Sequence, residues 1–168
     1  MMGGIYLLLG SNLGDRRENI SLACELMNEF AGKIVKYSRI YETAAWGKTS
    51  QPTFLNQVVE IESHSKPKQL LIILQEIENK LGRVRRDKWG ERVIDIDILY
   101  YGNLIIQGKH LSIPHPEIPS RRFTLIPLVE IAPDFINPLH MKSNSELLFE
   151  CDDELMVKDH IQSTPDIK

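Results

Sequence analysis

Hydrophobic and polar positions change period several times along the chain, and each change marks an element. Ile5-Tyr6-Leu7-Leu8-Leu9 is a continuous apolar run closed by Gly10, as expected of a buried strand. Turn chemistry follows in Ser11-Asn12-Leu13-Gly14-Asp15, where Asp15 is placed to cap a helix with Glu18 as its capping-box partner. Ile20, Ala23, Cys24, Met27 and Phe30 then recur at helical spacing until Gly32. Residues 33–41 alternate as a second strand, and 42–52 form a loop of small residues around Trp46. Residues 53–62 alternate again, with Phe54, Asn56, Val58, Glu60 and Glu62 on one face and Leu55, Gln57, Val59 and Ile61 on the other. Ser65-Lys66-Pro67 opens a second helix that carries Leu70, Leu71, Leu74, Ile77 and Leu81 and ends at Gly82. A charged loop over 83–92 leads into a strand, Val93-Ile94-Asp95-Ile96-Asp97-Ile98-Leu99-Tyr100. Strict alternation there puts Asp95 and Asp97 on one face and Ile94, Ile96, Ile98 and Tyr100 on the other. Beyond it, 104–106 and 110–113 pair as a short hairpin around Gly108, and Pro114-His115-Pro116 is extended. Residues 121–131 form a third helix despite Pro127, and Pro133 ends it.

This order, β-α-β-β-α-β, predicts an α+β fold with a ferredoxin-like core. An antiparallel sheet carries helices packed on one face, with a C-terminal hairpin and helix added. At 168 residues the chain makes a single domain over 1–168. Residues 142–168 read as an acidic C-terminal tail with a short apolar patch at Leu147-Leu148-Phe149 and a frayed end near 162–168.

Composition narrows the function classes. A 42% hydrophobic and 26% charged chain is ordinary for a soluble globular protein. A net charge of −3 provides no general attraction for a polyanion, so no nucleic-acid partner is expected. The five basic and two acidic side chains between 83 and 92 are therefore a local feature. Cys24 and Cys151 are far apart and fit no metal spacing, which suits a reducing compartment. The apolar run at 5–9 is too short for a membrane span and has no basic segment before it. The expectation is a cytoplasmic protein without a membrane partner.

Two like charges as close as Asp95 and Asp97 are costly unless a cation lies between them, and paired carboxylate oxygens suit hard Mg²⁺. The neighbouring Arg83, Arg85, Arg86, Lys88 and Arg92 favour phosphate, because the arginine fork matches phosphate oxygens bidentately. Trp89, a large apolar side chain in this loop, fits a lid that closes over polyphosphate as well as a solvated surface loop. Phe54 beside Asn56 could stack and hydrogen-bond a flat heterocycle, or be a core phenylalanine beside a surface amide. His115 is held between prolines and suits either a ligand contact or a structural role. Gly10-Ser11-Asn12-Leu13-Gly14 lacks the lysine and spacing of a P-loop and is read as a strand-to-helix turn.

Together these segments resemble the 6-hydroxymethyl-7,8-dihydropterin pyrophosphokinase (HPPK) family of folate biosynthesis, from about residue 5 to 138. The resemblance is carried by Gly10-Ser11-Asn12-Leu13-Gly14-Asp15, Tyr41-Glu42-Thr43-Ala44-Ala45-Trp46-Gly47, Gln51-Pro52-Thr53-Phe54-Leu55-Asn56, Gly82-Arg83-Val84-Arg85, Trp89-Gly90-Glu91-Arg92 through Leu99, Pro114-His115-Pro116, and Arg121-Arg122-Phe123 through Leu128. It implies transfer of the terminal pyrophosphoryl group of ATP to the pterin hydroxymethyl oxygen, releasing AMP. It also implies two Mg²⁺ ions held by Asp95 and Asp97, with Arg83 and Arg92 stabilising the transferred phosphates. Glu78, Arg85, Trp89, Arg92, Ile98, His115 and Arg121 would contact the nucleotide. Thr43, Ala44, Trp46, Phe54, Asn56, Asp95 and Phe123 would form the pterin pocket, with the ring between Phe54 and Phe123. Ala44 stands where many relatives carry proline, and Phe54 where some carry tyrosine. The partners expected are small molecules, and the working unit a monomer.

Two alternatives come from other classes. A Mg-dependent nucleotidyltransferase also combines Gly-Ser with Asp-x-Asp, but close together; here two strands and two helices separate Gly10-Ser11 from Asp95. A non-enzymatic RNA-binding ferredoxin-like module needs exposed aromatics on a basic sheet face, whereas the 53–62 strand offers Phe54 beside Glu60 and Glu62.

Overall fold

The computed structural model describes residues 3–44, 50–83 and 91–160. The first apolar run is strand β1 (Ile5–Ser11), buried throughout and paired on both edges. Helix α1 (Arg16–Phe30) starts where the Glu18 N–H donates to Asp15 Oδ1 at 3.1 Å. Strands β2 (Lys33–Tyr37), β3 (Tyr41–Thr43) and β4 (Phe54–Glu62) follow, then α2 (Pro67–Lys80) and β5 (Asp95–Tyr101). A hairpin of β6 (Ile106–Gln107) and β7 (Ser112–Ile113) leads through a 3-10 turn, Ile118–Ser120, to α3 (Arg122–Ile131). A second hairpin, β8 (Ile136–Asn137) and β9 (Lys142–Ser143), precedes α4 (Asn144–Glu150) and β10 (Val157–Asp159).

The antiparallel main sheet runs β10-β3-β4-β1-β5, with β2 also paired to β4. This is the ferredoxin-like core extended by one strand. No described helix is long and apolar enough to cross a membrane.

Four expectations change. Helices were expected on one face, yet both are covered. Leu7 and Leu9 pack with Ile20, Met27, Leu70 and Leu74 of α1 and α2. Tyr6 and Leu8 pack with Leu125 and Leu128 of α3 and Leu147 of α4. A central strand apolar on both faces requires two covering layers.

Tyr100 is not on the face of Ile96 and Ile98. On β1 the neighbours Tyr6 and Leu7 pair with Tyr100 and Ile98, so Leu99 is an extra residue. This bulge inverts the alternation, sending Leu99 and Tyr100 to the α3 side while Tyr101 joins the α1–α2 core.

The expected single strand over 33–41 is two. Between Tyr37, opposite Val59, and Tyr41, opposite Asn56, three residues face two on β4. Buried Ser38 occupies the break: its N–H donates to Val58 O at 2.9 Å, and its Oγ accepts the Val58 N–H at 3.0 Å. Glu42 and Thr43, assigned to the loop, belong to β3.

The stretch read as an acidic tail is structured through residue 160. Asn144 and Leu147 of α4 are buried, and Ser143 Oγ caps the helix by accepting the Glu146 N–H at 3.1 Å. Strand β10 then joins the sheet beside β3. Residues 161–168 lie outside the described residues.

Candidate active site

Sheet register builds the floor of the site. Gly10 on β1 lies opposite Asn56 on β4 and Asp95 on β5, and Leu8 lies opposite Val58 and Asp97. Thr43 on β3 lies opposite Phe54. Directly opposed residues share a face, so Thr43, Phe54, Asn56, Asp95 and Asp97 all stand on the α3 side. Arg121 and Phe123, at the start of α3, close one cavity over them, with Leu8, Gly10, Ala44 and Arg92 completing its wall.

Glycine at position 10 keeps that floor open. A Cβ there would lie 3.1 Å from Asn56 Oδ1 and 3.6 Å from a Phe54 ring carbon. The Asn56 amide, buried, donates from Nδ2 to Thr43 Oγ1 at 3.2 Å. An aromatic face beside a fixed amide suits a flat, hydrogen-bonding heterocycle. Phe123 adds a second ring, with the Arg121 guanidinium 5.7 Å from its centre.

Charge is concentrated on Asp95. Arg83 Nη1 donates to Asp95 Oδ1 at 2.7 Å, and Arg92 Nη1 to Oδ2 at 2.8 Å. Arg83 also meets Glu78 Oε1 at 2.8 Å. Burial works against the Arg83 cation, but Asp95 and Glu78 outweigh it and hold the group charged. Glu78, at the C-terminal end of α2, accepts the Ile96 N–H at 2.8 Å, satisfying a donor on the sheet edge. Asp97 experiences the opposite balance. Burial, then Asp95 and Glu78, push its pKa above the ordinary carboxylate range, while Arg121 and Arg83 offset part of the rise.

A second cavity lies along the outer edge of β5. Ile96, Asp97 and Ile98 form one wall, and Leu71, Lys109, His110, Leu111, Ser112, His115 and Pro116 the others. His115 Nδ1 accepts the Glu117 N–H at 3.2 Å, so the neutral ring carries its proton on Nε2. Burial, then the Arg121 charge, lower its pKa to about 4, which keeps the ring neutral at physiological pH. Asp97 belongs to both cavity walls.

Of the residues singled out in the sequence, Thr43, Ala44, Phe54, Asn56, Arg92, Asp95, Asp97, Arg121 and Phe123 meet in the first cavity, and Asp97, Ile98 and His115 in the second. Arg121 thus lines the cavity expected for pterin, not the one along the β5 edge. Glu78 joins the wall of neither cavity; its carboxylate holds Arg83 and the Ile96 N–H. Arg83 joins the wall of neither cavity and meets Asp95 Oδ1 at 2.7 Å. Trp46, Arg85 and Trp89 lie outside the described residues. Sequence reading missed Leu8, Gly10 and the 109–112 turn. Their only signal was a glycine ending a strand and a Lys-His pair close to Pro114-His115.

The donor set fits a divalent cation. Two half-buried carboxylates on one strand face suit Mg²⁺, which takes one or two protein carboxylates and completes its shell with phosphate oxygens and water. Among the described residues no group of three or more His, Cys, Asp or Glu side chains forms a ready-made cage.

The sequence model of the family described as 7,8-dihydro-6-hydroxymethylpterin-pyrophosphokinase (HPPK) matches residues 6–133. A 2-amino-4-hydroxy-6-hydroxymethyldihydropteridine pyrophosphokinase of Aquifex aeolicus is 43% identical over 86% of this chain and 90% of its own length. The protein of the same name from Haemophilus influenzae is 40% identical over 91% of this chain and 96% of its own. A crystal structure of HPPK-DHPS from Plasmodium falciparum superposes with a TM-score of 0.71 at 16% identity, over 89% of this chain. The present chain spans about two fifths of that longer one, 43%. The chain belongs to the HPPK family.

Proposed function

We propose that this chain transfers the terminal pyrophosphoryl group of ATP to the hydroxymethyl oxygen of 6-hydroxymethyl-7,8-dihydropterin, releasing AMP, in folate biosynthesis. The observation that carries this reading is the place of Asp97 in the walls of two adjoining cavities. One cavity offers aromatic rings and an amide to a pterin. The other offers a strand edge at Ile98 and a neutral His115 to a nucleotide.

The pterin lies between Phe54 and Phe123, with the Asn56 amide and the backbone at Thr43 and Ala44 reading its edge. Its hydroxymethyl group points toward Asp95 and Asp97. The adenine side lies along Ile98, and His115 Nε2 donates to a phosphate or sugar oxygen. The β-phosphorus is then held near Asp97, in line with the acceptor oxygen. Arg92 and Arg83 exchange contacts with Asp95 for contacts with phosphate oxygens as charge develops. Asp95 and Asp97 would hold Mg²⁺, which would supply charge neutralisation at the triphosphate. Asp97 or Asp95 at most assists departure of the hydroxyl proton, and positioning and electrostatics supply most of the rate.

Calorimetric titration with a non-hydrolysable ATP analogue and Mg²⁺, followed by the pterin, should show both bind to the same molecule. With ATP, turnover should release AMP in step with pyrophosphorylated pterin. Release of pyrophosphate instead would establish nucleotidyl transfer and overturn the reading.

A further inference from the structure

Asn12 engages both polar atoms of its side chain and its backbone N–H. It is 1% exposed, and its backbone N–H donates to Arg92 O at 3.1 Å while its Oδ1 accepts the Arg92 N–H at 2.7 Å. Its Nδ2 donates to Gln51 Oε1 at 3.2 Å and to Pro52 O at 3.3 Å. One residue thus grips both backbone groups of Arg92, the carbonyl through its own backbone and the N–H through its side chain, and its side chain also holds the two residues that lead into Phe54 and Asn56. Asn12 belongs to the wall of neither cavity described above.

An amide provides what this junction requires. It presents an acceptor and two donors on one short stem, whereas aspartate presents acceptors only. Losing it leaves the half-buried Arg92 N–H and the Pro52 carbonyl to find other partners.

We propose that Asn12 is a positioning residue for the transfer. It aims Arg92 at Asp95 and ties that arginine to the strand that carries the acceptor pocket, so that phosphate ligand and acceptor keep one register. The inference rests on the role assigned above to Arg92.

A double-mutant cycle tests it on the full chain. Asn12→Ala lowers kcat at least 10-fold, while the dissociation constant of a non-hydrolysable ATP analogue moves less than threefold, because Arg92 is outside the second cavity wall. Arg92→Ala also lowers kcat. If Asn12 acts through Arg92, the double variant falls no more than about twofold below Arg92→Ala, since residues acting as a unit are not additive. Asn12→Asp keeps an oxygen toward the Arg92 N–H and retains more kcat than Asn12→Ala. If Asn12→Ala does not fold, Asn12→Ser carries the same cycle. Losses that multiply in the double variant overturn the proposal and leave the reading of Arg92 standing. An unchanged kcat in Arg92→Ala overturns both.

Discussion

The backbone N–H of His115 donates to the Leu99 carbonyl at 2.9 Å, and Leu99 is the residue that the β1·β5 bulge leaves unmatched on β1. The irregularity therefore does two jobs. It turns Tyr100 into the core beneath α3 and gives the His115 segment an anchor on the sheet edge. The ring then sits in the second cavity with its tautomer set by Glu117.

His115 gives a pH signature. Its folded pKa, about 4, lies below the ordinary histidine value near 6.5. Between these limits the unfolded chain binds the extra proton, so stability falls as pH drops from about 6.5 toward 4, by at most about 1.4 kcal/mol per pH unit from this group. Chemical denaturation of wild type and His115→Gln across this window should show a shallower dependence in the variant. An identical slope in both would remove His115 as the cause.

The paired carboxylates separate stability from activity. Asp95→Ala and Asp97→Ala should each reduce Mg²⁺-dependent AMP release more than 100-fold. Asp97→Asn should also abolish turnover, yet remove the charge that Asp97 carries above its raised pKa, about 8, against Asp95 and Glu78. At a pH above that value the ligand-free variant should melt about 2–4 °C higher, the shift expected for roughly 1 kcal/mol in a chain of this size. Thermal melts without nucleotide check the direction, and a lower melting temperature would refute this account of Asp97.

Phe123 and Gly10 belong to the first cavity wall and not the second. Phe123→Ala should raise the KM for the pterin about 10-fold, in line with the roughly 1–3 kcal/mol lost with one stacking face. Gly10→Ala should raise it as well, because the added methyl presses on Asn56. Affinity for the ATP analogue should stay within threefold in both variants; steady-state kinetics and calorimetry read the two effects separately.

The layer beneath α3 is structural. The Tyr100 hydroxyl donates to Asn144 Oδ1 at 2.7 Å, and Asn144 Nδ2 donates to the Ala132 carbonyl at the end of α3, at 2.8 Å. Asn144→Leu strands both partners and should cost about 2–4 kcal/mol. The kcat of the folded fraction should not change, which urea denaturation and single-temperature assays can establish together.

Much of this was legible in the chain. Gly32 and Gly82 do end the two helices, at φ of +150° and +90°, and the two faces of β4 separate as alternation required. Asp95 and Asp97 share a face because their strand is regular up to Ile98. What escaped depends on pairing between distant strands. Alternation cannot reveal an extra residue at Leu99, since the bulge is defined by the partner strand. The break at Ser38 is a hydroxyl replacing a ladder contact, and local pattern reads it as one more polar position. The role of 142–160 escaped because the buried groups there are few. Asn144 and Leu147 look like surface residues until α3 and Tyr100 stand beside them.

Because Asp97 forms part of both walls, a single compound built to span the two cavities must thread past it. A connecting segment that carries its own anion there would place a third negative group against two carboxylates and depend on metal for compensation. A neutral or basic connector would meet Asp97 favourably, and its grip on the protein would vary little with magnesium concentration.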